Sequence, residues 1–200
     1  MTEFIGKVYG LSGVGLLVTA LVCFLTAKTA VLSIPLLIVA FLVTLVLVMA
    51  TVATRGLTSA AAFLGVSVAE GLMIGPLVKL AVAVNPMLLV AAILLTAVLF
   101  LVLTVYVFVS GKDFSFMGGG LLIALVALII ASVAAMFFPA MVVFVSAAGA
   151  LVFGLFVLYD TSSLLNKSYE DDQYASAALS IYLDIVGLFV NLLSLLLNWK

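Results

Sequence analysis

Long apolar runs separated by single charged or turn-forming positions make up the chain. Lys7 and Lys28 bracket the first run, and Lys28 and Arg55 the second. A third runs from Leu57 to Val84 and contains Glu70, Lys79, Gly71, Gly75 and Pro76. Asn85-Pro86 is a turn signal, and a fourth run, Met87 to Val109, stops at Gly111-Lys112-Asp113. Phe114 to Tyr159 carries no charge over 46 residues, too long for one helix and about right for two. The break is predicted near Phe137-Phe138-Pro139, because proline starts a helix well and continues one badly. Asp160 then falls near the end of the sixth run. Asn166 to Gln173 is strongly polar and predicts a loop, and the last run extends from Ala175 to Leu197. About 20 apolar helical residues cross a bilayer core. The pattern therefore predicts an all-α integral membrane protein: seven transmembrane helices in a single domain over residues 1–200, with Trp199 and Lys200 as interfacial anchors.

Composition agrees. Of the 200 residues 68% are hydrophobic and 8% charged, with net charge −1, which excludes a soluble globular domain, a disordered chain and a basic nucleic-acid binder. A β-barrel is excluded because its strands would alternate apolar and polar positions. There is no histidine, so histidine-based catalysis, histidine metal ligation and histidine pH sensing are absent. Cys23 is the single cysteine; it sits in an apolar run, reads as a small core- or lipid-facing residue, and rules out an intrachain disulfide. Val22 before it does not fit a lipoprotein signal. The first run is too long for a signal-peptide core and reads as a retained helix. With the N-terminus cytoplasmic, Lys7, Arg55, Lys112 and Lys167 lie inside and Lys28, Lys79 and Lys200 outside, a small bias toward that orientation.

Three acids fall at membrane depth: Glu70, Asp160 and Asp184. A charge there costs about 2.5–3.5 kcal/mol on insertion scales, so each is a functional candidate. Asp160 and Asp184 lie equally far from Asp172, near the centre of the last loop. In an antiparallel helical hairpin they reach similar depth. Two facing carboxylates in low dielectric do not both ionise comfortably, so the pair is expected to share a proton. Tyr159, Tyr182 and the hydroxyls of Thr161, Ser162 and Ser163 stand nearby in sequence. Arg55, on the same membrane side, is a candidate latch for Asp160 and alternatively a helix-end anchor. Glu70 either pairs with Lys79 or serves a water pocket. Gly71 and Gly75 form a G-x-x-x-G that permits close helix packing. Glu170, Asp171 and Asp172 read as a solvated loop or as a negative mouth that concentrates cations.

Leu158-Tyr159-Asp160-Thr161-Ser162, and Leu179-Ser180-Ile181-Tyr182-Leu183-Asp184 followed by Leu188-Phe189, resemble the Bax inhibitor-1 family (the transmembrane Bax-inhibitor-motif proteins). Lys7-Val8-Tyr9-Gly10-Leu11, Glu70-Gly71-Leu72 and Gly75-Pro76 are similar to bacterial members. One departure is Gly187, where many members carry asparagine; Asn191 lies one turn later. The resemblance implies seven helices with the last in the centre, surrounded by the other six. It also implies a pH-sensitive calcium leak with Asp160 and Asp184 as sensor and transient calcium ligands. Arg55 stands at the helix end that carries the family's latch arginine. Membrane proteases are implied as possible partners of bacterial relatives.

The leading expectation is a proton-gated calcium leak in a bacterial plasma membrane. Glu70, Tyr159, Tyr182, Asp171 and Asp172 are further candidates for the ion path. No resident cofactor is expected; calcium ions and protons pass through, and the lipid bilayer is the surrounding partner. A non-transporting modulator of a membrane protease or stress pathway is the alternative. An intramembrane aspartyl protease is the least favoured, because Ile181-Tyr182-Leu183-Asp184 lacks the Gly-x-Gly-Asp such enzymes use, and no enzyme activity is expected.

Overall fold

The computed structural model describes residues 2–28, 33–167 and 169–199. Lys200, expected as an interfacial anchor, lies outside them. Among the described residues there are seven α-helices and no strand: α1 (Thr2–Lys28), α2 (Ile34–Ala53), α3 (Gly56–Val84), α4 (Pro86–Ser110), α5 (Gly118–Ala135), α6 (Val142–Asn166) and α7 (Tyr174–Asn198). All seven carry segments long and apolar enough to cross a membrane, and the chain is a multi-pass membrane protein. Leu17, Met49, Ile123 and Phe144, each 72–76% exposed, show how much apolar surface is left uncovered. In water such a surface would drive aggregation; lipid tails cover it at no cost.

The helix ends follow local chemistry. The Asn85 side chain accepts the Met87 N–H at 3.0 Å and Pro86 occupies the first helical position, so α4 starts where the turn signal stands. Gly111 ends α4 at φ +58°, in the left-handed region that favours glycine. The uncharged stretch divides as predicted: α5 ends at Ala135, and a single 3₁₀ turn, Pro139–Met141, opens α6. Pro76 does not break α3. Hydroxyls inside the helices bond back to the carbonyl four residues earlier: Thr44 to Ala40, Thr51 to Leu47, Thr96 to Ala92 and Ser132 to Leu128, all at 2.7–2.9 Å. Each hydroxyl is thereby satisfied within its own helix.

The helices group into two compact units. One holds Met1–Leu80 and Ser168–Tyr182, the other Ala81–Lys167 and Leu183–Lys200. In the first, α1 and α3 run parallel and touch once per turn. Thr19 Oγ1 donates to the Ser67 carbonyl at 2.9 Å, Cys23 Sγ to the Gly71 carbonyl at 3.3 Å, and Gly75 lies against Thr26. Glycine is required at Gly71, where an added Cβ would sit 2.9 Å from the Thr19 carbonyl oxygen. The G-x-x-x-G thus serves internal packing, and Cys23 is a core residue.

α3 and α7 are the most enclosed helices, with 44% of their most apolar stretch buried against 11–17% in α2, α4, α5 and α6. Ala177, Ala178, Leu179, Ile181 and Tyr182 are all buried. Five such positions within six residues leave no lipid face on that part of α7.

Candidate functional site

The second unit brings Asp160 and Asp184 together, their side chains within hydrogen-bonding reach of one another. The register of α6 against α7 explains how. The helices run antiparallel, with Ser146 facing Ser194, Gly149 facing Asn191 and Phe153 facing Gly187. Continued along the helices, this register sets Asp184 opposite Phe156, one turn from Asp160. Helical Cα–Cβ bonds tilt toward the helix N-terminus. In an antiparallel pair the two side chains therefore lean toward each other and close the gap.

Asp184 is 4% exposed, and its Oδ2 is buried with no hydrogen-bond partner among the described residues. Thr161 Oγ1 and Ser163 Oγ, on the α6 segment just after Asp160, are buried in the same condition. A carboxylate only accepts hydrogen bonds, so a bond between two carboxyl groups needs a proton on one of them. Among the described residues no group of three Asp, Glu, His or Cys side chains forms a metal cage.

The end of α6 beyond Asp160 is held by a clasp that the sequence did not reveal. Asp113, between α4 and α5, accepts the Ser115 N–H at 2.8 Å and the Ser162 hydroxyl at 3.3 Å. Ser162 Oγ in turn accepts the Phe114 N–H at 2.8 Å. Lys167 Nζ lies 5.2 Å from the Tyr159 ring centroid and donates to its hydroxyl at 3.5 Å. Tyr159 rests against Gly118, where a side chain would collide with the ring. Tyr159 therefore braces the helix end.

The Ser115 N–H first, then the hydroxyls of Ser115 and Ser162, hold the Asp113 carboxyl below the usual carboxylate range. A lowered folded value stabilises the fold above the ordinary carboxylate range, and this contribution is lost as pH falls through the lowered value. Asp113→Ala should therefore lower the melting temperature in detergent at neutral pH. The gap to the wild type should narrow on acidification below the carboxylate range. A gap that stays constant with pH would mean that the carboxylate charge is not what the clasp uses.

Arg55 belongs to the first unit. It pairs there with Glu170 and, at 3.5 Å, with Asp172. The cation offered to Asp160 in the sequence reading thus clasps the last loop, and two acids of the negative mouth are engaged with it. Asp171 is exposed. All three partners of the clasp are solvent-accessible, and such pairs contribute about 0–1 kcal/mol. Arg55→Ala and Glu170→Ala should each change thermal stability slightly. Arg55→Glu combined with Glu170→Arg should restore whatever either single reversal loses; no recovery would mean that Arg55 acts elsewhere.

Tyr182, expected beside Asp184, is directed elsewhere. Its hydroxyl bonds Thr19 Oγ1 at 2.6 Å and its ring meets Phe63 edge-on at 5.2 Å, within the first unit. Positions two apart on a helix do not share a face. Glu70 is partly buried on α3, close enough for its charge to bear on Cys23 and Tyr182. It is thus a member of the first unit, whereas the carboxyl pair belongs to the second. Asn191, one turn beyond Gly187, donates to the Gly187 carbonyl at 2.8 Å and covers Gly149.

Comparison with known proteins places this architecture. The family model described as "Inhibitor of apoptosis-promoting Bax1" matches residues 1–199. The Golgi anti-apoptotic protein of Vaccinia virus (strain Lister) is 44% identical over 107 residues, 52% of this chain and 45% of the viral one. An uncharacterized membrane protein of Vibrio cholerae serotype O1 is 36% identical over 149 residues, 71% of this chain and 66% of its own. Protein lifeguard 4 of Mus musculus is 38% identical over 107 residues, 52% of this chain and 44% of its own. The chain thus spans about half the length of the viral and mammalian relatives it matches. These names are those of inhibitors and membrane proteins rather than of enzymes.

Proposed function

The chain belongs to the Bax inhibitor family, and from that membership we propose a pH-sensitive calcium leak whose proton sensor is the Asp160–Asp184 pair. The observation that carries the reading is the pair itself: two carboxyls from neighbouring helices, one of them buried with a partnerless oxygen. Shared between them, one proton bonds α6 to α7 at this depth. Without it, two like charges face each other in low dielectric, and the helices part or the pair captures a cation.

Calcium takes six to eight oxygen ligands. Two carboxylates, the nearby hydroxyls of Thr161 and Ser163, and water supply a loose, incomplete shell, suited to passage rather than storage. The same reading takes the membrane to be a bacterial plasma membrane and the N-terminus to be cytoplasmic, with the α6–α7 loop and Lys167 on the side that carries more of the positive charges.

The test is calcium entry into liposomes holding the purified protein, read with a trapped indicator across pH. The wild type should conduct with a pH dependence that Asp160→Asn and Asp184→Asn alter. A wild type with no flux at any pH overturns the leak; the modulator of a membrane protease is then the reading to pursue.

A further inference from the structure

A second group of polar side chains lies in the same unit, toward the opposite end of α6 from Asp160. A cleft of about 280 Å³ opens between the end of α5, the start of α6 and the last turns of α7. Ser132, Ser146, Asn191 and Ser194 line it together with apolar side chains. The Ser146 and Ser194 hydroxyls bond each other across the helices at 2.7 Å. Neutral oxygens and nitrogens gathered in one place, among helices otherwise apolar at this depth, suit water better than lipid.

From this cleft the α6–α7 seam leads to the carboxyl pair in matched steps. Three residues and then four along α6, from Ser146 to Gly149 to Phe153, accompany three and four back along α7, from Ser194 to Asn191 to Gly187. At the third step the Phe153 ring fills the space above Gly187, where any Cβ would overlap it. Phe156 flanks the ring, the two centroids 6.2 Å apart. Asp184 lies one turn past Gly187, and Asp160 two turns past Phe153. Small and polar positions thus run along the seam on one side of the ring, and the acids stand on the other.

We infer that the cleft is a hydrated vestibule for a cation. The cation, still carrying part of its water shell, rests on the neutral oxygens of Ser146, Asn191 and Ser194. Phe153, seated on Gly187, is the apolar constriction between that vestibule and the carboxyl pair. This inference rests on the leak reading above. Apolar constrictions hold back ions by shedding water and yield when the ring swings aside or is shortened. The glycine that departs from the resembled pattern is what makes room for the ring, so the constriction belongs to this chain's own pair of residues.

Two measurements test it. In a Cys23→Ser background, Ser146→Cys, Asn191→Cys and Ser194→Cys in lipid nanodiscs should react with a charged, membrane-impermeant methanethiosulfonate. Ile130→Cys and Leu151→Cys, whose parent residues are each 66% exposed on the lipid-facing surface, should not. Labelling no greater at the cleft than at these controls overturns the vestibule.

In liposomes, Phe153→Ala and the milder Phe153→Leu should raise calcium entry severalfold at the pH where the wild type conducts least, keeping its pH response. Modification of Ser194→Cys should lower entry severalfold. Unchanged entry in both Phe153 variants of a conducting protein overturns the constriction while leaving the carboxyl sensor standing. A labelled cleft in a wild type that never conducts overturns the leak and, with it, the cation as occupant.

Discussion

Asparagine at position 184 should leave a protein that still folds and still spans the membrane but whose calcium flux no longer responds to pH. Asparagine has the shape of the carboxyl group and the charge of its protonated form. The variant should therefore hold, at every pH, the flux the wild type shows at its acid limit. A switch thrown by one proton changes the ratio of its two states by at most about tenfold per pH unit, so a flat profile is easily told from the wild-type one. The effect should be larger here than for Asp160→Asn. Asp184 is buried with an unpartnered oxygen, whereas Asp160 retains some exposure, and a group removed from solvent feels its neighbour's charge most strongly. Unchanged elution on gel filtration in detergent establishes the fold of the variant. A pH profile in Asp184→Asn that matches the wild type would remove the pair as sensor.

The largest loss of stability is expected from a side chain at Gly71. An added Cβ there meets Val22 Cβ at 2.6 Å and the Thr19 carbonyl oxygen at 2.9 Å. The oxygen belongs to backbone that cannot rotate away, so α1 and α3 must move apart. Their separation weakens the Thr19 and Cys23 contacts to α3 as well. Overpacking of this kind costs about 1–3 kcal/mol, and occasionally more. Gly71→Ala should lower the melting temperature in detergent by several degrees, and Gly71→Leu should lower it further or prevent folding. Gly10→Ala is the control, since nothing lies within 4 Å of a Cβ there. Equal melting of Gly71→Ala and Gly10→Ala would show that the helices yield at no cost.

The spans, their turns and the acid pair could be read from the sequence because each rests on one strong local signal. Charges and proline mark the helix ends, and an acid inside an apolar helix is conspicuous. The apex of the last hairpin was placed within a turn: the seam centres on Glu170, two residues before Asp172. Which way each helix faces was not legible. Lipid and protein interior are equally apolar, so nothing in a run of leucine and valine marks its rotation. For that reason sequence proximity points Tyr182 to Asp184 although its hydroxyl belongs to Thr19, and points Arg55 to Asp160 although it holds Glu170 and Asp172. The Asp113 clasp leaves no local signal, because its partner Ser162 lies 49 positions away. The Phe153–Gly187 contact left only a glycine as its trace.

Serine and threonine side chains that close on their own backbone bear on how the protein is made. A helix whose hydroxyls already have partners can leave the insertion machinery alone, before any neighbour exists. Thr44 and Thr51 on α2 and Ser132 on α5 travel in this way. The final pair of helices has no such freedom. Asp184, Thr161 and Ser163 each bring a polar atom without an internal bond, and the acid alone costs about 2.5–3.5 kcal/mol to bring in if charged. The last two helices are therefore expected to enter lipid as a pair, α6 held back until α7 is made.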